Sequence, residues 1–129
     1  MNVILDTCAL LWLVADAPTL SANARRLIGT NRDSVFVSAI SAFEIGVKYH
    51  KGKLTLCDTP ENWWHRSIAH HGLVVVDVTD SIFLASTALP LLHHDPCDRI
   101  IIATAQDIGA TILTPDHLIA QYPTAKVEW

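Results

Sequence analysis

At 129 residues the chain is long enough to bury a core of its own, and we predict one domain over residues 1–129. A net charge of −4 at pH 7 argues against a generally basic nucleic-acid binder, although a local positive patch could still contact phosphates. The three cysteines, Cys8, Cys57 and Cys97, include no C-x-x-C pair, which argues against both a disulfide framework and a zinc ribbon.

The N-terminal segment predicts a buried strand followed at once by a helix. The β-branched run Asn2–Leu5 is the strand, and a helical pattern follows from Cys8 to Val14. The longest apolar runs are much shorter than the ~20 residues that span a bilayer, so we predict no membrane segment. No basic region precedes the apolar residues and Asp6 interrupts them, so we predict no secretory signal and expect a cytoplasmic protein.

Helices and strands alternate through the middle of the chain. Capping residues and Pro at the first helical position mark the helix starts, and short apolar runs mark the strands. The predicted elements are a helix from the cap Ser21 to Gly29, a strand at Val35–Val37, a helix from Ser41 to about Tyr49, a helix over Thr59–His71 and a strand over Gly72–Val78.

The same alternation continues to the C-terminus. Strands that are continuously hydrophobic and separated by helices predict a mostly parallel sheet covered on both faces. The fold class is therefore α/β, a three-layer α/β/α sandwich. The remaining elements are a helix from Thr79 to near Pro90, a helix over Pro96–Ile108 before a stop at Gly109, a strand over Ala110–Thr114, a short helix over Asp116–Gln121 and a terminal strand over Lys126–Trp129.

Four acidic residues are predicted to meet at one edge of this sheet. Ligands of open parallel sheets bind beyond the carboxyl ends of the strands. Asp6 directly follows the first strand, and Asp116 closely follows the strand Ala110–Thr114. Glu44 and Asp98 are predicted in the first turns of helices that start at the same edge. Four like charges there would repel unless a cation or a partner neutralised them.

Each acid also has a structural interpretation. Ser41 and Glu44 have the spacing of a capping box, and Asp98 complements a helix dipole. Asp116 can cap a short helix, and Asp6 can close a strand. Asp95, directly before a proline, fits an N-cap better than a metal ligand, although a contact to the metal through water stays open.

The combination of four acids favours a divalent metal site. Carboxylates without cysteine or regularly spaced histidine favour a hard ion, so Mg²⁺ is predicted, with Mn²⁺ as a substitute. Such a site chiefly binds phosphate groups, and its charge stabilises the transition state of phosphodiester hydrolysis. Four acids can hold either one or two ions.

The sequence as a whole resembles the PIN-domain nucleases, specifically the VapC-type toxins of bacterial toxin-antitoxin pairs. The ordered motifs that carry the resemblance span almost the whole chain: NVILDT at 2–7, SAFEI at 41–45, HHDPCDRIIIATA at 93–105 and TPD at 114–116. The family implies an α/β/α metal-dependent endoribonuclease that is usually a homodimer and is held inactive by a cognate antitoxin protein. The RNA target and the antitoxin are not readable from this chain.

The resemblance also assigns roles to particular residues. Cys97 stands where the family often has an aromatic residue, which bears on packing rather than on chemistry. The family's catalytic, metal-binding acids match Asp6, Glu44, Asp98 and Asp116. The matching positions near substrate are Thr7, Arg99 and Thr114, of which Arg99 would pair with an acid or with RNA.

Two other functions compete with this prediction. The first is a PIN-like binding module that acts through a protein partner and no longer cuts, which the presence of all four acids argues against. The second is a phosphatase of the haloacid-dehalogenase type, whose nucleophilic Asp also follows the first strand. That chemistry needs a second Asp two residues after the first, and Cys8 occupies the position.

Several other groups are predicted to be structural. Adjacent histidines such as His93 and His94 do not form a ready chelate, so we expect no direct metal role for them. Cys8 has no histidine placed to activate it. Three tryptophans are expected in the core or in a subunit contact rather than stacked on RNA bases, namely Trp12, Trp63 and Trp64. One basic cluster is either a solvated helix end or a phosphate contact, and it consists of Lys48, His50, Lys51 and Lys53.

Overall fold

Five parallel strands form one sheet in the order β3-β2-β1-β4-β5. The computed structural model describes residues 1–129. The strands are β1 (Asn2–Leu5), β2 (Val35–Ser38), β3 (Val74–Val76), β4 (Ala110–Leu113) and β5 (Val127–Glu128). Because every pair of neighbouring strands is parallel, all five carboxyl ends lie at the same edge, as the sequence predicts.

Seven α-helices connect or follow these strands. They are α1 (Thr7–Val14), α2 (Ala22–Thr30), α3 (Ala39–His50), α4 (Pro60–His71), α5 (Asp80–Thr87), α6 (Pro96–Ile108) and α7 (His117–Ala120), with a short 3₁₀ turn at Arg32–Ser34 that the sequence pattern does not predict. None of them is long and apolar enough to cross a membrane.

The two faces of the sheet carry separate hydrophobic cores. Successive residues of a strand point to opposite faces, so Val3 and Leu5 pack on one side of β1 and Ile4 on the other. The first core joins the sheet to α1, α2, α3 and α4, while the second joins it to α6 and α7. Trp63 and Trp64 are buried in the first core, as predicted. The three-layer α/β/α architecture is therefore confirmed.

Local sequence signals set the ends of α4 and α6. Both helices begin with Pro at the first position, after the N-caps Thr59 and Asp95. Both stop at a glycine in the left-handed region, Gly72 with φ of 61° and Gly109 with φ of 64°. A residue with a Cβ is strained in that conformation, which is why these two positions end their helices.

The start of α3 differs from the prediction. Ser38 is the N-cap, and its side chain accepts a hydrogen bond from the backbone N–H of Ile40. The helix thus begins two residues before Ser41, which places Glu44 in the second turn rather than the first. The predicted capping box between Ser41 and Glu44 is wrong, because the buried Ser41 hydroxyl instead meets the hydroxyl of Thr7 at 2.9 Å.

Candidate metal centre

The carboxyl ends of β1 and β4, which are neighbours at the centre of the sheet, supply two of the predicted acids. Asp6 follows β1 and is the N-cap of α1, where its Oδ1 accepts the Ala9 N–H at 2.7 Å. Asp116 follows β4 and is the N-cap of α7, where its Oδ1 accepts the Leu118 N–H at 2.8 Å. The capping role predicted for Asp116 is confirmed, whereas Asp6 not only closes β1, as predicted, but also caps α1, and both side chains lie at the same edge.

Two helices bring the other two acids to that edge. Asp98 lies in the first turn of α6, and Glu44 lies in the second turn of α3. All four acids line one cleft of about 340 Å³. The complete lining consists of Asp6, Thr7, Cys8, Glu44, Lys48, Asp95, Asp98, Pro115 and Asp116.

Asp6 is the most enclosed of the four acids, with only 5% of its surface exposed. Burial raises its pKa from 3.8 to about 6, and the charges of Asp116 and Glu44 add to the increase. Hydrogen bonds from Thr114 and Ala9 act in the opposite direction and do not cancel it. Ionised Asp6 is therefore under-compensated by the protein itself.

Asp98 is perturbed in the same direction. Burial, followed by the negative charges of Asp95 and Glu44, raises its pKa from 3.8 to about 7. His93 partly offsets this, since its Nε2 lies 2.9 Å from Asp98 Oδ2. The pKa values of two acids in one cleft are thus raised in the same direction by burial and by the negative charges around them.

Glu44 is held by two partners. The hydroxyl of Thr7 donates to Glu44 Oε1 at 2.7 Å, and Lys48 Nζ lies 2.9 Å from Glu44 Oε2. The hydrogen bond to Glu44 raises the pKa of Lys48, so its ammonium is firmly charged. Lys48 is the only basic residue that lines the cleft. Lys51 and Lys53, which belong to the same predicted basic cluster, do not line it.

The hydroxyls of Thr7 and Thr114 are hydrogen-bonded to two of the acids. Thr114, 1% exposed, donates to Asp6 Oδ2 and accepts the backbone N–H of Asp116. Thr7, 3% exposed, donates to Glu44. Each hydroxyl thus holds a carboxylate in place, and contact of Thr7 or Thr114 with substrate stays a prediction.

The predicted contact of Arg99 with substrate disagrees with its position. Arg99 is 8% exposed and its guanidinium donates to the backbone carbonyls of Ser86, Leu89, Pro90 and His93 and to the Tyr122 hydroxyl. Its side chain therefore packs into the protein and ties the segment between α5 and α6 to the start of α6. The guanidinium of Arg99 is thus engaged by protein acceptors and fixes this segment in place.

His93 is the site residue that sequence reasoning missed. It is buried, and its Nε2 contacts both Asp98 Oδ2 and Asp116 Oδ2, at 2.9 and 3.1 Å. The sequence-based expectation for the pair 93–94 concerned only a direct metal role, and it did not foresee this contact of His93 with the two acids. The pair precedes α6 rather than lying on it, so the helical spacing argument does not apply. Its position two residues before the N-cap Asp95 is the only signal that the sequence offers.

The cysteines near the site are inert thiols. Burial raises the pKa of Cys8 to about 11, and the charge of Asp6 adds to the increase. Cys97 behaves in the same way, with burial and Glu44 raising its pKa to about 11. A raised pKa keeps a thiol protonated and weakly nucleophilic, which agrees with the structural role predicted for Cys8.

The donor set fits a hard divalent cation. Five carboxylates line the cleft against a single lysine, since Asp95 joins the four predicted acids there, and burial together with the neighbouring negative charges raises the pKa values of Asp6 and Asp98. Carboxylate oxygens are the ligands that Mg²⁺ and Mn²⁺ prefer. A bound divalent ion would offset the repulsion that burial and crowding create.

Comparison with known proteins identifies the family to which this fold and acidic cleft belong. The chain belongs to the PIN domain family, whose model matches residues 3–124. The phosphatase alternative is thereby set aside.

Individual proteins of known sequence or structure are similar to this chain over almost its whole length. Ribonuclease VapC22 from Mycobacterium tuberculosis is 31% identical over 131 residues, which cover 99% of this chain and 98% of that protein. In fold, the chain is similar to VapBC2 from Rickettsia felis bound to a DNA fragment from its promoter, with a TM-score of 0.72, 18% identity, and 99% and 98% of the two chains covered. It is also similar to a toxin-antitoxin complex from Klebsiella pneumoniae, with a TM-score of 0.69, 20% identity, and 99% and 97% covered.

Proposed function

We propose that this chain is a metal-dependent endoribonuclease and the toxin of a toxin-antitoxin pair. The observation that carries the proposal is the convergence of Asp6, Glu44, Asp98 and Asp116 on one cleft. Membership of the PIN domain family supports it, as does the relative named a ribonuclease. As an enzyme that acts on cellular RNA, the protein works in the cytoplasm.

The four acids are the proposed ligands of the ion, which is Mg²⁺ or, as a substitute, Mn²⁺. When bound, the ion supplies positive charge for the scissile phosphate and lowers the pKa of a water molecule. The protein's contribution is to hold the carboxylates in place. Thr114 does this for Asp6, and Thr7 does it for Glu44.

Lys48 is the proposed phosphate contact of the chain itself. Its side chain is 40% exposed and is the one cation at the rim of an acidic cleft. An ion that neutralises Glu44 would compete with the Lys48 pair, which frees the ammonium for an RNA phosphate. In agreement with the family resemblance, the proposed cut leaves a 5′-phosphate and a 3′-hydroxyl.

An antitoxin segment is the proposed occupant of a second, apolar cleft between α1 and the segment that precedes α4. The similarity in fold to toxin-antitoxin complexes supports such a partner. The cleft has a volume of about 460 Å³, and an apolar helix or strand of a partner would bury its surface. Its lining consists of Leu11, Trp12, Val14, Ala15, Leu54, Thr55, Leu56, Cys57 and Trp63.

We also propose a homodimer, because several large apolar side chains are exposed. Phe43 on α3 is 63% exposed, Leu84 on α5 is 69% exposed and Leu91 is 73% exposed. Large apolar side chains left in water favour association with a second copy. Sedimentation equilibrium of the purified protein and of Leu84→Glu would test this, because loss of a dimer in the variant identifies the face.

The function itself is tested by cleavage of total cellular RNA with the purified protein, in Mg²⁺, in Mn²⁺ and in EDTA, with end-mapping of the products. Asp6→Asn and Asp98→Asn should lose activity by a factor of 10² or more, on the order expected when a ligand of a catalytic ion is removed. Asp107→Asn serves as the matched control, since Asp107 is exposed on α6 outside the cleft.

Each outcome has a clear meaning. Discrete cuts that require the metal and disappear in both site variants support the nuclease and identify its target. Cutting by folded Asp6→Asn and Asp98→Asn at the parent rate would refute the proposed site. No cutting by the folded parent under any condition would favour the binding-module alternative.

A further inference from the structure

The imidazole of His93 contacts two of the proposed metal ligands, Asp98 and Asp116. His93 lies between α5 and α6, Asp98 lies in the first turn of α6, and Asp116 caps α7. His93 Nε2 is 2.9 Å from Asp98 Oδ2 and 3.1 Å from Asp116 Oδ2. His93 is 8% exposed and does not line the cleft, whereas both acids do. The imidazole therefore occupies the protein side of the two carboxylates.

The hydrogen bond at Nδ1 of His93 determines the tautomer of the ring. Nδ1 of His93 accepts the backbone N–H of Asp95 at 3.2 Å. A ring N–H cannot face another N–H donor, so Nδ1 carries the lone pair and the hydrogen is on Nε2. An ionised Asp116 carboxylate at Nε2 is an acceptor and agrees with the same assignment.

This tautomer rules out the ligand role that distance alone would allow. The nearest ligand atoms of His93, Asp98 and Asp116 all lie within 4.8 Å of one another, a spacing that a metal ion could bridge. Coordination by Nε2 needs the lone pair at that atom. Moving the hydrogen to Nδ1 would set it against the Asp95 N–H and would leave Nε2 without a hydrogen to share with the carboxylates.

The backbone of His93 is held as firmly as its ring. Its N–H donates to the Tyr122 hydroxyl at 3.0 Å, and its carbonyl accepts from Arg99 Nη1 at 3.2 Å. The Tyr122 hydroxyl in turn donates to the Pro90 carbonyl at 2.7 Å. Arg99 directly follows Asp98 on α6, so this arginine and one proposed ligand share a helical turn. The imidazole is thus pre-positioned by a buried network.

We propose that His93 is a positioning residue, whose Nε2 hydrogen is donated to Asp116 and lies beside Asp98 Oδ2, and which thereby fixes one oxygen of each carboxylate and leaves the ion to be held by oxygen atoms alone. This inference rests on the proposed metal-dependent function. These two contacts hold the acids close together without placing a lysine or arginine between them, which would compete with the ion.

The test uses Mn²⁺ as the probe on the full chain and combines calorimetry with pulsed electron paramagnetic resonance. In the parent, Mn²⁺ should show no coupling to a directly coordinated ¹⁴N. His93→Ala should weaken Mn²⁺ binding about 10-fold or more, the usual size for loss of a partner that orients a ligand. His93→Gln, whose side-chain N–H group can stand in for Nε2–H, should recover most of that affinity.

His94→Ala is the matched control, because His94 is the exposed neighbour with no hydrogen bond to the site. Coordinated ¹⁴N in the parent that disappears in His93→Gln would overturn the proposal and make His93 a ligand. Equal Mn²⁺ affinity of His93→Ala and the parent would also overturn it. The parent spectrum needs no variant, so a failure of His93→Ala to fold leaves the test intact. Absence of Mn²⁺ binding by the parent would instead reject the proposed function, and this inference with it.

Discussion

Replacing Asp6 by Asn should stabilise the metal-free protein at alkaline pH, although it removes a proposed metal ligand. Burial raises the pKa of Asp6 from 3.8 to about 6, so the folded state binds this proton more tightly than the unfolded state. The stability contributed by the group is therefore fully present below the unfolded pKa and is lost as the pH rises through the folded pKa.

The size of the effect follows from the same values. The increase from 3.8 to about 6 is about 2 pKa units, and each unit corresponds to about 1.4 kcal/mol, so ionised Asp6 costs the fold about 3 kcal/mol. Asn cannot accept the Thr114 hydrogen bond as a carboxylate does, which costs about 1 kcal/mol at every pH. The net gain of the variant at pH 8 is thus about 2 kcal/mol.

The assay is urea denaturation in EDTA at several pH values between about 4 and 8, where linkage predicts the change. The free energy of unfolding of Asp6→Asn minus that of the parent should be slightly negative at the acidic end, should increase from about pH 4 to about pH 6, and should level off above that. Asp107→Asn, which removes an exposed carboxylate, should show no such trend. Adding Mg²⁺ at pH 8 should stabilise the parent more than the variant.

A flat difference between Asp6→Asn and the parent over this pH range would refute the reasoning. It would mean that the Asp6 carboxylate is compensated within the protein, and that the cleft does not need a cation. Equal stabilisation of parent and variant by Mg²⁺ would contradict the assignment of Asp6 as a ligand.

Three further predictions concern the residues that surround the acids. Arg99→Met should lower the free energy of unfolding by about 3 kcal/mol or more in chemical denaturation, because it leaves several buried carbonyls without donors, whereas a substrate contact would leave stability unchanged. Thr114→Val should cost about 1 to 3 kcal/mol and weaken Mn²⁺ binding in calorimetry, while Thr111→Val on the preceding strand β4, which loses no side-chain hydrogen bond, should do neither. Ser38→Ala should cost about 1 kcal/mol in thermal unfolding as the loss of an N-cap, and an unaffected variant would restore Ser41 as the cap of α3.

Much of the architecture is readable from local signals. In α6, Asp95 caps, Pro96 begins and Gly109 ends the helix, and each of these acts within a few residues of its own position. The parallel sheet follows from hydrophobic strands separated by helices, and parallel strands place Asp6 and Asp116 at one edge. The resemblance to the PIN-domain nucleases, now borne out by the family match, rests on motifs in the same order.

Local signals fail where two acceptable partners compete. Ser38 and Ser41 are both good N-caps, and the sequence pattern favours the one that pairs with Glu44. In the folded protein Ser41 is drawn into the core beside Thr7, a contact between residues 34 positions apart. Glu44 is then turned toward Thr7 and Lys48 rather than back to its own helix start.

The sequence alone thus determines the α/β/α class, the main helix ends and which four acids share an edge, because these depend on periodicity, capping and strand direction. Only the tertiary structure decides that Arg99 turns inward and that His93 lies between Asp98 and Asp116. The physical reason is that the partners of both side chains come from distant or irregular segments. A charged or titratable side chain takes its role from the acceptors that the folded chain brings to it, and those are not encoded in its near neighbours.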